Sequence, residues 1–92
     1  MKFEWDEKKA ADNLAKHGVA FDKAILVFND PNRVDVQDDK KDYGEIRTNT
    51  TGQLKDVLII TVTHTDRNGV TRLISARHAS RQERRKYHGQ NN

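Results

Sequence analysis

Glu45 and Arg47 stand two residues apart, and Arg72 and Arg77 flank the stretch Leu73-Ile74-Ser75-Ala76. Residues two apart on a strand share a face, so Glu45 and Arg47 are placed to meet. A carboxylate held beside a guanidinium stays ionised, and can take up a proton or hold the arginine in position. The plainer alternative is an exposed ion pair of little energetic weight. Arg72 and Arg77 lie beside apolar residues, where an arginine is costly to bury unless paired. The chemistry this suits is phosphate binding, because the planar guanidinium fork grips phosphate oxygens with two hydrogen bonds. The alternative is a structural ion pair with an N-terminal carboxylate such as Asp6. Five residues separate the two arginines, so an unbroken strand would set them on opposite faces. A bulge would realign them. The helix start expected at Ser80 favours instead an Arg77 that has already left the strand.

His64 and His78 are candidates for proton transfer near neutral pH, with solvent-exposed strand ends as the alternative. Tyr87 can stack on a base or donate a hydrogen bond to phosphate, or pack its ring on the sheet edge. His17 reads as a helix C-terminal residue. Four histidines without clustered carboxylates, and no cysteine, give neither a metal site nor a disulfide framework, and no cofactor is expected. The charge is unevenly spread. Residues 64–92 hold seven Lys and Arg against two acidic residues, including six of the eight arginines, while residues 1–63 are slightly acidic. An arginine-weighted basic segment is the footprint of a nucleic-acid partner. Arg81, Arg84, Arg85 and Lys86 surround the last predicted helix, so they cannot all face one ligand. Lys8 and Lys9 approach the site if the first helix starts near it.

The elements that must position these groups follow from local signals. A single domain over residues 1–92 suits the length. No apolar run approaches the roughly 20 residues that cross a membrane, and the N-terminus lacks the apolar stretch of a signal peptide. The expected location is the cytoplasm. Lys2–Trp5 reads as a short strand, with Trp5 in a core or interface, and Asp6 as a helix N-cap. Gly18 reads as that helix's C-terminal stop. Phe21, Ala24, Ile25 and Phe28 form the buried stripe of a second helix, ended at Asp30-Pro31. Strands are expected at Arg33–Gln37 and Tyr43–Asn49, with a charged loop at Asp38–Asp42 and a turn at Thr51-Gly52-Gln53. Val57–Thr63 is apolar on both faces, as a central strand is. Asn68-Gly69 signals a hairpin into a strand at Thr71–Ala76. Ser80-x-x-Glu83 is a capping box that opens a helix to Tyr87, followed by a polar tail. The class is therefore α+β: a small antiparallel sheet, two N-terminal helices and one C-terminal helix, with one sheet face covered and the other free.

Three stretches resemble the BrnT family of type II toxin–antitoxin systems. They are Trp5-Asp6-Glu7-Lys8-Lys9 with Asn13 and Lys16-His17-Gly18-Val19-Ala20-Phe21, then Glu45-Ile46-Arg47 with Gly52, then Thr71 to Ala79 with Glu83-Arg84 and Tyr87. The sequence differs from the family's usual pattern at Thr63-His64-Thr65. The resemblance implies a RelE-like ribonuclease fold and metal-independent RNA cleavage that stops translation. It also implies a ribbon-helix-helix antitoxin of the BrnA type, with operator DNA bound only by the complex. On that reading Glu45, Arg47, His64, Arg72, Arg77 and Tyr87 are the candidate catalytic set, and Lys8, Lys9, Arg81 and Arg84 the candidate RNA contacts. Two alternatives use the same residues: a non-catalytic nucleic-acid-binding module, and a protein-interaction subunit.

Overall fold

The computed structural model describes residues 1–38, 44–55 and 58–89. The charged loop at 39–42, the strand start at Tyr43, Val57 and the tail residues 90–92 lie outside the described residues. The elements are β1 (Lys2–Glu4), α1 (Glu7–His17), α2 (Phe21–Ala24) continuing as a 3-10 turn (Ile25–Asn29), β2 (Val34–Asp38), β3 (Arg47–Lys55), β4 (Leu58–Arg67), β5 (Val70–His78) and α3 (Arg81–Gly89). They form one five-stranded sheet in the order β1-β5-β4-β3-β2. The α+β class holds, and β4 is central as its apolar run requires. The sheet is mixed, because β1 runs parallel to β5 while all other neighbours are antiparallel.

Short-range signals set the ends of the elements. The Asp6 carboxylate accepts from the N–H groups of Lys8 and Lys9 and so caps α1. Gly18 stops the helix in the left-handed region at φ 72°. Asn68 and Gly69, both at positive φ, make the β4–β5 turn. Thr51-Gly52-Gln53 does not turn; it lies inside β3. Gly52 is there because the 3-10 turn presses on the strand: a Cβ at this position would stand 3.1 Å from Val27 Cβ. The glycine marks a close approach rather than a reversal.

The main core lies between the sheet and α1, α2 and the 3-10 turn. Phe21, Ala24 and Val27 meet Ile60, Val62, Leu73 and Ala76 there. Trp5 packs on Phe21 edge to face, with ring centroids 5.9 Å apart. The helices do not share one face. α3 lies on the opposite face, where Tyr87 and Ala79 pack on Ile59 and Val34. Leu73 and Ala76 both reach the main core although three residues separate them. A strand permits this only through a bulge, and the register shifts there: Thr63 pairs Ser75 while His64 pairs Leu73, which leaves Ile74 as the extra residue.

β1 covers only the first part of β5, ending where Glu4 pairs Arg72. Further along, a buried side chain takes the place of a strand. Asn13 Nδ2 donates to the carbonyls of Ala76 (2.8 Å) and Val19 (3.0 Å), and Asn13 Oδ1 accepts from the Ala76 N–H (3.1 Å). One amide thus satisfies three backbone groups that water cannot reach. Each buried group left unsatisfied costs about 1–3 kcal/mol. Asn13→Leu is expected to destabilise the protein by about 2–4 kcal/mol, seen as a fall in Tm of roughly 10–30 °C. Asn13→Asp, which keeps the acceptor and loses both donors, should fall between Asn13→Leu and the natural protein in a thermal melt. A Tm unchanged in Asn13→Leu would show that the β5 edge needs no such partner.

Candidate functional site

The bulge at Ile74 decides which side chains meet. Residues directly opposite one another in neighbouring strands share a face, so the register groups the α3-side face into three rows. Val34, Thr51, Thr61 and Arg77 form one, and Val36, Asn49, Thr63 and Ser75 the next. The third holds Asp38 beside Arg47, and Thr65 beside Arg72 beside Glu4. Because of the extra residue, Arg72 and Arg77 share this face even though five positions separate them. Arg77 has not left the strand, as the Ser80 cap suggested; it lies inside β5, which runs to His78, and the bulge does the realigning.

Every arginine of this face is held by a carboxylate. Arg77 Nη1 and Nη2 donate to Glu83 Oε1 and Oε2 at 2.8 and 3.0 Å, a fork-to-fork pair. Arg72 Nη1 donates to Glu4 Oε2 at 3.0 Å. Its partner is thus an N-terminal carboxylate, though Glu4 rather than Asp6. Glu45 lies in the bend before β3 and bridges two arginines, accepting from Arg47 Nε at 3.4 Å and from Arg67 Nη2 at 3.2 Å. The expected meeting of Glu45 and Arg47 therefore occurs, with Glu45 itself outside the strand.

Glu83 carries more than the capping box signalled. Its side chain accepts from the Ser80 N–H (2.8 Å), and the Glu83 N–H donates back to Ser80 Oγ (3.1 Å). Glu83 Oε1 also accepts from the Thr61 hydroxyl at 3.0 Å. Burial raises the Glu83 carboxyl pKa, but the hydrogen bonds from Arg77, Ser80 and Thr61 and the Arg77 charge outweigh it and hold the group at about 2. The Glu83 hydrogen bonds in turn push the Arg77 pKa up against its own burial. Arg77 is thus a fixed cation whose orientation is set by an anion that does not titrate near neutral pH.

Other candidates lie elsewhere. His64 points to the opposite face: it stacks edge to face on Phe28 at 4.9 Å, and its Nε2 is 2.7 Å from Thr50 Oγ1. Burial lowers its pKa, partly countered by Asp35. Tyr87 is buried under α3 and donates to Asp30 Oδ2 at 2.6 Å. Burial and that hydrogen bond raise its hydroxyl to about 12. Neither side chain joins the arginine rows. Lys8 sits on α1, paired with Asp12 at 3.1 Å, and Lys9 is exposed beside it. Arg81 is exposed at the start of α3, and Arg84 donates to the Ala79 carbonyl at 3.1 Å. A groove of about 410 Å³ opens between β2 and α3, with Arg77 and Glu83 in its wall. The α3 residues that line it are Gln82, Glu83 and Lys86, not Arg81 or Arg84. Asn49, Thr51, Gln82 and Lys86 were not among the site residues expected from the sequence. The helical spacing from Glu83 to Lys86 was a usable signal for that wall, once Glu83 is known to face the sheet.

The Glu83 shift has a definite sign. A carboxyl held below its ordinary value of 4.5 stabilises the fold fully above that pH, and the contribution drains away as pH falls towards 2. Glu83→Gln should therefore be less stable than the natural protein at pH 7. The gap should narrow between pH 4.5 and about 2 in urea titrations followed by circular dichroism. A gap constant across that range would show that the carboxylate charge contributes nothing.

Comparison with known proteins places this site in context. The family model described as "Ribonuclease toxin, BrnT, of type II toxin-antitoxin system" matches residues 5–83. No curated protein matches the chain. Among solved structures, the crystal structure of the Brucella abortus ribonuclease toxin BrnT is similar. It has 27% sequence identity and a TM-score of 0.65, and the match covers 88% of this chain and 99% of that one. The matched span takes in Asn13, the bulged strand, Glu45, all four paired arginines and Glu83, and on it the chain belongs to the BrnT family of ribonuclease toxins of type II toxin–antitoxin systems.

Proposed function

We propose that residues 1–92 act as one cytoplasmic domain that cleaves RNA without a metal ion and so halts translation. It is held silent by a ribbon-helix-helix antitoxin of the BrnA type, and operator DNA is bound only by that complex. The observation that carries the reading is that Arg47, Arg72 and Arg77 share one sheet face, with the Ile74 bulge bringing Arg72 and Arg77 into phase.

The reaction is an internal transesterification. The ribose 2′-oxygen loses its proton and bonds to the adjacent phosphorus, the bond from phosphorus to the 5′-oxygen breaks, and that oxygen takes up a proton. The products are a 2′,3′-cyclic phosphate and a 5′-hydroxyl. Negative charge grows on the phosphoryl oxygens, and fixed donors aimed at it lower the barrier most. Arg47, Arg72 and Arg77 supply those donors. Glu45, between Arg47 and Arg67, accepts the 2′-hydroxyl proton. Glu83 orients Arg77. Lys8, Lys9, Arg81 and Arg84 add positive charge along the path of the RNA backbone. Metal independence is supported by the charge balance: Glu4, Glu45 and Glu83 already face guanidinium groups, so a divalent cation would have to displace an arginine. His64 and Tyr87 support the fold and take no part in the chemistry.

With excess EDTA, the folded protein is expected to cleave single-stranded RNA, and Arg72→Ala to lower the rate about 100-fold or more. Glu45→Gln should lower it by a similar order. Tyr87→Phe should lose about 1 kcal/mol of stability and keep the cleavage rate. Abolition by EDTA, or an Arg72→Ala variant as fast as the natural protein, would overturn this mechanism. RNA bound and left uncut by the folded protein would instead favour the non-catalytic module.

A further inference from the structure

Beyond Arg77 and Glu83, the groove between β2 and α3 adds valines and uncharged polar residues to its charged lining of Asp38 and Lys86. On the β2 side it presents Val34 and Val36, the latter 42% exposed, together with Gln37 and Asp38. Its floor is formed by two uncharged polar residues of β3, Asn49 and Thr51. Valines offer an apolar wall to the flat face of a ring, and uncharged polar groups suit its edge.

The hydrogen bonds around that floor orient its polar groups. The Thr63 hydroxyl donates to Asn49 Oδ1 at 2.6 Å. This fixes the amide with its oxygen occupied, and among the described residues none accepts from Asn49 Nδ2. Asn49 therefore offers the groove two unused amide donors, beside the one lone pair that Thr63 leaves on Oδ1. The Thr61 hydroxyl has one proton and gives it to Glu83 Oε1. In the Thr51–Thr61 contact of 2.7 Å, Thr51 is then the donor, and its oxygen keeps a free lone pair. The chain from Thr51 through Thr61 to Glu83 is thus polarised by the same carboxylate that orients Arg77. A site whose buried polar groups have fixed polarity rejects partners of the wrong polarity.

We propose that this groove is a base-reading subsite. It takes the nucleobase adjacent to the phosphate held at Arg77, and the Asn49 donors select bases that present a carbonyl acceptor there. Guanine and uracil carry such an oxygen, whereas adenine and cytosine carry an amino donor at the same position. The inference rests on the ribonuclease reading for the identity of the ligand as RNA, and it adds a substrate preference to it.

The test uses dinucleotides with a 2′-O-methyl group at the scissile ribose, which cannot be cleaved, in all base combinations. Their affinities are measured by amide chemical-shift titration of the full chain. The expected result is that guanine or uracil at one position binds about 10-fold tighter than adenine or cytosine. Asn49→Asp keeps the acceptor for Thr63 and replaces the donors by an acceptor. It should reverse the ranking towards adenine and cytosine. Val36→Trp fills the groove from an exposed edge position and should flatten the ranking while leaving the dependence of binding on salt unchanged. Equal affinity across the set, undetectable binding by all of it, or an unchanged ranking in Asn49→Asp would overturn the subsite. Because no turnover is involved, a protein that ranks bases but leaves unmodified RNA intact in EDTA would fail the ribonuclease mechanism and retain the subsite. One that cuts RNA and ranks nothing would do the reverse.

Discussion

One extra residue in β5 organises this molecule. Strand side chains alternate strictly, so a regular β5 that sent Leu73 into the main core would turn Ala76 away from it. Ile74 shifts the phase between them. On one side the shift delivers both Leu73 and Ala76 to the helices, and on the other it delivers both Arg72 and Arg77 to the α3-side face. Core packing and arginine alignment are two readings of the same irregularity. The Asn13 amide secures it from the edge by holding both backbone groups of Ala76 just beyond the bulge. A bulge next to a functional face is a way of re-aiming side chains. Here it re-aims one arginine without giving up the core beneath it.

The second organising feature is the division of labour among the carboxylates. Glu83 joins α3 to the sheet, caps the helix, orients Arg77 and polarises two threonines. So many donors keep it ionised near neutral pH, which suits a positioning group. Among the described residues the Glu45 side chain has only guanidinium partners and lies at the edge of the face, and in the proposed mechanism it is the carboxylate that takes the proton. Asp30 plays a third part. It accepts from the Tyr87 hydroxyl and the Gln53 and Asn32 N–H groups, and pins the far end of α3 to the loop that follows the 3-10 turn.

The features legible in the sequence are those encoded within a few residues. Asp6 as a cap, Gly18 as a stop, Asn68-Gly69 as a turn and Ser80-x-x-Glu83 as a capping box each carry their own geometry, and each is realised. The apolar run of β4 similarly announces a central strand. What was hidden depends on partners distant in sequence. Gly52 looked like a turn because nothing local reveals that Val27 presses on it. The inward aim of His64 follows from the two-residue alternation that sets it on the face of Ile60 and Val62, but an apolar run on both faces of β4 did not say which face the N-terminal helices cover. The sequence left open whether a bulge realigns Arg72 and Arg77, and the Ser80 cap pointed the wrong way. The side of the sheet taken by α3 was also unreadable, since a nine-residue helix this basic has few apolar residues to declare its face. Asn49 and Thr51 sit in an ordinary polar strand pattern, and acquire meaning only from the hydroxyls beside them.

The parallel placement of β1 bears on how the toxin comes into being. β1 finds its partner only in β5, and the Glu4–Arg72 pair closes a separation of 68 residues. Such non-local contacts form late, after the local β4–β5 hairpin exists. On a translating ribosome, a nascent chain that has exposed β1 and α1 still lacks β5, on which both pack, and lacks Arg77 and Glu83 as well. The arginine face is therefore complete only when β5 and α3 have joined the sheet.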